Sequence, residues 1–267
     1  MTMYLKHFGF SFHPFERDLC AEMLYDAPHF CEAMARLIYV CKKRTLAVIT
    51  GEAGCGKSTL LRLLGHRLDP NAYLYIYLAD SNLTVRNFYF LSLNAMGLTP
   101  PGQLPKLKSL FKKAVLDLFE NKGKTVIVVI DEAQTLEASM LFELRFVMNF
   151  YYDSFSPLAV VLVGETSLRA ALRAYHMSGI WRRVDTGYHL VGMDFEQTKL
   201  YINHQLKNVG CTRPLFPDDV ISRIQDKSKG LPAFINTLCR GCLLDASTRQ
   251  QDLIDGENLA RVLTEFS

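Results

Sequence analysis

The sequence GEAGCGKST at residues 51–59 decides the fold of this chain. It follows the apolar run TLAVIT and precedes LLRLLGHRL, in which leucines recur at helical spacing. Glycines allow a tight backbone turn whose N–H groups face phosphate oxygens, at the positive end of the following helix. Because both the strand and the helix that the motif requires flank it, G-x-x-x-x-G-K-[ST] predicts a nucleotide-binding loop.

The residues of this loop have different expected roles. We expect Lys57 to neutralise charge on the β- and γ-phosphates and the hydroxyl of Ser58 to hold Mg²⁺. ATP with Mg²⁺ is therefore the expected ligand. The loop residues predicted to bind it are Gly51, Glu52, Ala53, Gly54, Cys55, Gly56, Lys57, Ser58 and Thr59.

A second acidic motif follows the most strand-like run of the chain. In VIVVIDEA, Asp131 and Glu132 come directly after the uniformly apolar segment 125–130, which is typical of a central parallel strand. Asp131 can hold magnesium through water or through Ser58, and Glu132 can orient and polarise an attacking water. A kinase that transfers phosphate to an organic substrate has less need of that second carboxylate, so the pair favours ATP hydrolysis.

Composition excludes several other classes. The chain has 267 residues, 49% of them hydrophobic and 21% charged, with a net charge of +3, too small to predict nucleic-acid binding by itself. It has no apolar run of the roughly 18 residues that cross a bilayer and no signal-peptide pattern, so we expect a cytosolic protein without a membrane partner. The seven cysteines are scattered, and Cys239 and Cys242 fit one buried helix face better than a zinc site.

Alternating strands and helices predict an α/β fold with a three-layer parallel sheet, followed by a small all-helical domain. The predicted strands are 45–50, 73–78, 125–130, 158–163 and 187–191. The predicted helices are 29–43, 57–68, 84–97, 104–121, 137–151, 167–176, 194–209, 217–228, 231–247 and 255–265. We expect an irregular amino-terminal segment (1–29) that contributes to the nucleotide pocket, an ATPase core (30–192) and a helical lid (193–267).

Six segments, in order along nearly the whole chain, make it similar to AAA+ ATPases. The resemblance is closer to one branch, the ExeA/GspA-like ATPases and the transposition regulators of the TnsC, TniB and MuB type. The segments are HFGFSFHPFE (7–16), VITGEAGCGKST (48–59), VIDEAQTL (129–136), VVLVGETSLRAAL (160–172), WRRVDTGYHLVGMDFEQTKLYINHQLKNVG (181–210) and KGLPAFINTLCRGCLLDA (229–246).

The resemblance implies roles for residues outside the two motifs. Arg183 corresponds to an arginine finger that reaches the γ-phosphate held by a neighbouring protomer, with Arg182 as the alternative. Glu165 stands where the family usually has a glutamine sensor. Phe15 and Tyr25 are candidates for the walls of the adenine pocket, or else core aromatics.

The helical domain departs from the family pattern. The family has an arginine in G-x-P-R that contacts the γ-phosphate, whereas this chain has Ala233 at that position. Arg240 is a weaker candidate for replacing the contact. The resemblance then implies slow hydrolysis that depends on assembly, because the neighbour's finger is present only when protomers meet.

Two functions follow from the resemblance. The transposition regulators are often of this length and assemble on duplex DNA as rings or filaments that recruit or stimulate a transposase, in some cases with a target-selection protein. ExeA-type secretion proteins add a membrane span and a peptidoglycan-binding module, and this sequence ends at Ser267 with neither, which favours the first function.

Basic residues in and before the segment 104–124 are compatible with sequence-tolerant DNA binding. Spaced lysines can follow a phosphate backbone, and no motif for reading bases accompanies them. A solvated helix face would explain the same lysines. The residues predicted to contact DNA are Arg86, Lys106, Lys108, Lys112 and Lys113.

Overall fold

The computed structural model describes residues 3–81, 83–174 and 177–265. Within them, five strands form one parallel sheet in the order β2-β3-β4-β1-β5. The strands are β1 (Leu46–Gly51), β2 (Tyr73–Leu78), β3 (Thr125–Ile130), β4 (Leu158–Gly164) and β5 (Val184–Leu190). Because the carboxyl ends of parallel strands meet at one edge of the sheet, the residues after β1, β3 and β4 lie near one another.

Helices alternate with the strands along the chain. They are α1 (Met3–Phe8), α2 (Pro28–Lys43), α3 (Lys57–Arg67), α4 (Val85–Ala95), α5 (Leu104–Glu120), α6 (Ala138–Val147), α7 (Thr166–Arg173) and α8 (Ser178–Trp181). After β5 come α9 (Phe195–Asn208), α10 (Asp218–Ser228), α11 (Pro232–Thr248) and α12 (Gly256–Thr264). The predicted α/β fold with a helical carboxyl-terminal region is confirmed.

The chain divides into two compact units. The sheet unit comprises residues 32–53 and 57–190, and its core is formed by β3 and β4, which are buried almost completely, with apolar side chains from α4, α5 and α6. The helical unit comprises the residues before Glu32, residues 54–56 and the residues after Leu190. Its core joins α1 to α9, α10, α11 and α12. Each unit thus buries its own set of apolar side chains.

Five details of the predicted elements were wrong. Residues 3–8 form α1 rather than an irregular segment, and α8 was not predicted. Strand β5 begins at Val184 rather than at residue 187. Helix α6 ends at Val147 rather than at residue 151, because Phe150 and Phe155 form an antiparallel bridge around a tight turn. Helix α7 ends at Arg173, and the last two residues of that predicted helix lie outside the described residues.

Candidate active site

The loop after β1 has the backbone that its glycines predict. Gly54 and Gly56 have φ angles of +82° and +101°, a region that residues with a Cβ atom rarely adopt. The oxygen of Gly54 accepts a hydrogen bond from the backbone N–H of Ala233 at 3.2 Å. A Cβ atom on Gly54 would lie 2.9 Å from that of Ala233. Glycine is therefore required at this position by both conformation and space.

Lys57 is the first residue of α3, and its side chain returns to the loop that precedes it. The ammonium donates hydrogen bonds to the backbone oxygens of Gly51 at 2.9 Å and Glu52 at 3.0 Å. The residue is only 8% exposed, which is unusual for a lysine. A buried cation at the amino terminus of a helix fits a polyphosphate, as the sequence predicts.

Lys57→Ala is expected to weaken ATP binding at least about tenfold, because each lost charge-assisted hydrogen bond to a phosphate costs about 1.5–3 kcal/mol. Calorimetric titration of the variant with ATP measures this loss. Lys42→Ala, a change of the same kind at an exposed lysine of α2, is the matched control and should retain the parental affinity. Equal affinities for the two variants would contradict the assignment of the loop.

Asp131 follows β3 and is held by two hydrogen bonds. Its Oδ1 accepts the backbone N–H of Glu132 at 2.9 Å, and its Oδ2 accepts the hydroxyl of Tyr77, from the neighbouring strand β2, at 2.7 Å. Burial and the carboxylate of Asp131 raise the pKa of Tyr77 well above its ordinary value. Asp131 is itself almost completely buried, so the tyrosine fixes the orientation of a carboxylate that has little contact with water.

Glu132 is exposed and has a left-handed backbone, with φ of +52°. Its carboxylate Oε2 accepts the side-chain amide of Gln134 at 2.6 Å. The other end of that amide, Oε1, accepts the backbone N–H of Glu165 at 3.0 Å. The structure thus brings Glu132 and Glu165 together through a residue for which the sequence predicted no role. The side chain of Glu165 is exposed beside the start of α7.

Arg183 lies between α8 and β5, and its guanidinium forms a two-pronged ion pair with Asp153. The two nitrogen–oxygen distances are 2.7 Å and 2.5 Å. These hydrogen bonds hold the pKa of Asp153 below its usual range. Arg182, the alternative finger, is exposed on the same turn. In this structure the predicted finger is therefore bound by a carboxylate of its own sheet unit.

The residues named for the helical unit contact one another there. Phe15 is completely buried and packs edge-on against Phe216, with ring centroids 6.4 Å apart. Tyr25 lies 5.9 Å from Tyr201 in the same manner. The guanidinium of Arg240 contacts Glu16 at 3.3 Å. Burial of Phe15 favours its interpretation as a core aromatic, and contact of Phe15 and Tyr25 with adenine stays a prediction.

The predicted DNA-contact residues differ in their surroundings. Lys108 forms an ion pair at 2.7 Å with Glu143, a carboxylate that is only 8% exposed and that also accepts the hydroxyl of Tyr89 at 2.7 Å. Lys112 is exposed and donates to the backbone oxygen of Asn149 at 3.2 Å. Three further side chains are exposed on α4 and α5: Arg86, Lys106 and Lys113.

The structure also describes the cysteine pair, the acidic and histidine side chains and the lengths of the helices. Cys239 and Cys242 are buried on α11, and burial raises the pKa of the Cys242 thiol to about 12, as for a packed helix face. In residues 3–81, 83–174 and 177–265, no group of three or more histidine, cysteine, aspartate or glutamate side chains is placed to hold a metal ion. Among the helices that the structure describes, none is both long enough and apolar enough to span a bilayer.

The remaining residues fit ATP with Mg²⁺. The observations are the positive φ angles of the loop glycines, the buried ammonium of Lys57 and the buried carboxylate of Asp131. Ser58 and Asp131 would hold the metal, which when bound offsets the negative charge of the phosphates. Glu132 is exposed at the same edge of the sheet, and its role as the acceptor of a proton from water stays a prediction.

Comparison with known proteins identifies the domain. Residues 41–172 match the family model of the AAA domain. Over 255 residues the chain is 30% identical to general secretion pathway protein A of Aeromonas hydrophila, a match that covers 92% of this chain and 45% of that protein. The chain therefore spans less than half the length of this relative.

Solved structures show a similar fold. The ORC2 protein of Aeropyrum pernix in its ADPNP–ADP complexes has a TM-score of 0.67 and 16% identity, covering 94% of this chain and 70% of that one. The ORC1 protein of the same organism, in complex with DNA, has a TM-score of 0.67 and 14% identity, covering 93% and 68%. At this identity the likeness shows the fold. The chain thus has the P-loop AAA+ fold and carries an ATPase domain of that class, for which ATP and Mg²⁺ are the ligands.

Proposed function

We propose that this chain is a cytoplasmic, ATP-dependent DNA-binding regulator of transposition of the TnsC, TniB and MuB type. It assembles into rings or filaments on duplex DNA and recruits or activates a transposase, with or without a target-selection protein. The observation that carries the proposal is an exposed basic face on a domain that binds ATP. That face contains Lys106 and Lys113, seven residues apart and so on one side of α5, together with the exposed Arg86 and Lys112.

The lysines of this face are suited to phosphate rather than to bases. Lys106 and Lys113 end in flexible ammonium groups that are compatible with any sequence. Lys108 compensates the buried charge of Glu143, so it contributes less to a DNA surface than its exposed neighbours. The ORC1 protein with a similar fold was solved in complex with DNA, which supports an AAA+ domain as a DNA partner.

Within this proposal hydrolysis is slow and requires assembly. Ala233 occupies the position of the missing arginine and packs its backbone and Cβ against Gly54. A methyl group supplies no charge to a phosphate. Arg240, the candidate replacement, is paired with Glu16. The proposed finger Arg183 then supplies the missing cation from a neighbouring protomer, and the ATPase acts as a timer for assembly.

A second candidate function is that of an ATPase in a secretion system. The observation that favours it is the 30% identity to general secretion pathway protein A over almost the whole chain. The two candidates share the ATPase site and differ in the partner. DNA binding measured with ATP and with ADP separates them, because the secretion function gives no reason for nucleotide-dependent affinity for a duplex.

Binding to duplex DNA is expected to be sequence-tolerant, stimulated by ATP and sensitive to salt. Each lysine or arginine that contacts a phosphate makes the slope of log K against log salt more negative by about 0.9. The double charge reversal Lys106→Glu with Lys113→Glu replaces two such cations by anions, so it should weaken binding to every duplex about tenfold or more. Fluorescence anisotropy with two unrelated duplexes, over a range of salt concentrations, measures both effects.

The matched control reverses two exposed lysines of the helical unit, Lys207 and Lys227, and so changes the net charge equally. It should bind DNA as the parent does. If DNA binding by the parent protein depends neither on salt nor on nucleotide, the secretion function is favoured. An equal loss of DNA affinity in both double variants would show that net charge, rather than the exposed basic face, determines the affinity.

A further inference from the structure

The side-chain amide of Gln134 bridges two positions at the edge of the sheet. Its nitrogen donates to the carboxylate of Glu132 at 2.6 Å, and its oxygen accepts the backbone N–H of Glu165 at 3.0 Å. A carboxylate can only accept and a backbone N–H can only donate, so a single orientation of the amide satisfies both partners. The bridge therefore fixes the amide at both ends.

The site is shaped for this side chain. Gly164 is the last residue of β4, and a Cβ atom there would lie 2.4 Å from Oε1 of Gln134. The absence of a side chain at Gly164 thus provides the space in which the amide lies. The space and the two hydrogen bonds are independent observations that point to the same position for Gln134.

The backbone of Glu132 is held as well. Its left-handed conformation, with φ of +52°, is uncommon for a residue other than glycine. The carbonyl oxygen of Glu132 accepts the hydroxyl of Thr135 at 2.8 Å and the backbone N–H of Thr135 at 2.9 Å. Uncommon backbone conformations that the surroundings enforce are concentrated at functional sites. Hydrogen bonds therefore hold both the backbone and the carboxylate of Glu132.

We propose that Gln134 is a positioning residue that holds the Glu132 carboxylate in the orientation in which it accepts the proton of the attacking water. The inference rests on the proposed role of Glu132 in hydrolysis. The amide occupies Oε2 of Glu132 and leaves Oε1 to accept a proton. It also ties this orientation to Glu165 at the end of β4, so that movement of β4 or of the start of α7 displaces the carboxylate.

Removal of the amide should slow the chemical step and leave nucleotide binding unchanged. Gln134→Ala is expected to lower kcat about ten- to a hundredfold, because a misplaced reacting group costs about that much. KM and the Kd for ATP should stay within about twofold of the parent. Gln134→Glu keeps an acceptor for Glu165 but cannot donate to Glu132, so it should lose as much. Steady-state ATPase assays and ATP titrations of the full chain measure both constants.

A glycine pair tests the site without altering Gln134. Gly164→Ala should displace the amide and lower kcat as Gln134→Ala does. Gly187 in β5 has no atom within 4 Å of an added Cβ, so Gly187→Ala is the matched control and should hydrolyse ATP at the parental rate. Thermal unfolding of both variants shows whether Gly164→Ala remains folded, and Gln134→Ala and Gln134→Glu decide the question if it does not.

A double variant separates failure of this inference from failure of the proposed role of Glu132. If Gln134 acts through Glu132, adding Gln134→Ala to Glu132→Gln should not lower the residual rate by more than about twofold. Parental hydrolysis by Glu132→Gln alone would remove the role of Glu132 itself. If Glu132→Gln is inactive but Gln134→Ala or Gln134→Glu has an unchanged or raised kcat, the role of Glu132 stands and the positioning role of Gln134 is overturned.

Discussion

Glu132→Gln should abolish most ATP hydrolysis while ATP still binds. General acid–base catalysis by a positioned side chain contributes about 10²–10⁴-fold, so the rate is expected to fall at least a hundredfold. The amide is nearly isosteric with the carboxylate but cannot accept a proton from water. Since the loop and Lys57 are unaltered, the Kd for ATP should stay within a few-fold of the parent. A single-turnover assay with radiolabelled ATP, with titration of the same preparation, measures both quantities.

The control for this prediction is another exposed glutamate a few residues away. Glu137 precedes α6 and is exposed, so Glu137→Gln makes the same chemical change outside the site. It should hydrolyse ATP at the parental rate. If the DNA-binding proposal holds, Glu132→Gln assemblies should also persist longer on duplex DNA. Hydrolysis at the parental rate by Glu132→Gln would mean that another group activates the water.

The sheet and the order of its elements along the chain could be predicted from sequence because the central strands β1, β3 and β4 are buried on both faces. Apolar runs such as 125–130 and 158–163 have few alternatives to a central parallel strand, and the observed β3 and β4 begin at the predicted residues. The end of α6 could not be predicted, because apolar residues continue past Val147 at a spacing that also suits a helix. Three consecutive left-handed residues, 151–153, end the periodicity there, and contacts distant in sequence stabilise them.

The site was only partly predictable for a similar reason. Lys57 and Asp131 belong to motifs whose spacing is local, so the chain itself places them. The role of Gln134 depends on the left-handed backbone of Glu132 and on the end of β4, although the glutamine stands within the conspicuous VIDEAQTL segment. Tyr77 reaches Asp131 because β2 pairs with β3 in a register that the sequence does not state.

Arg183→Ala is expected to remove the DNA-stimulated part of the ATPase activity by at least about a hundredfold, since an arginine finger contributes 10³–10⁵-fold in related phosphoryl-transfer systems. The affinity of each protomer for ATP should stay within a few-fold of the parent. In the parent, the rate per protomer should rise with protein concentration and with added duplex; in the variant it should not. Arg182→Ala, at the exposed neighbouring position, should retain the stimulation if Arg183 is the finger.

The ion pair between Arg183 and Asp153 suggests a second variant, for which the opposite effect on stimulation is expected. A guanidinium held by two hydrogen bonds within its own protomer must leave them before it reaches a phosphate on a neighbour. Asp153→Asn removes the charge that holds it, so half-maximal stimulation should occur at a lower protein concentration. Because the pair is partly exposed, the expected shift is modest, about two- to fivefold. A rate per protomer that is independent of protein concentration and of DNA, in parent and variants alike, would show that each protomer contains a complete catalytic site and that Arg183 serves only to bind Asp153.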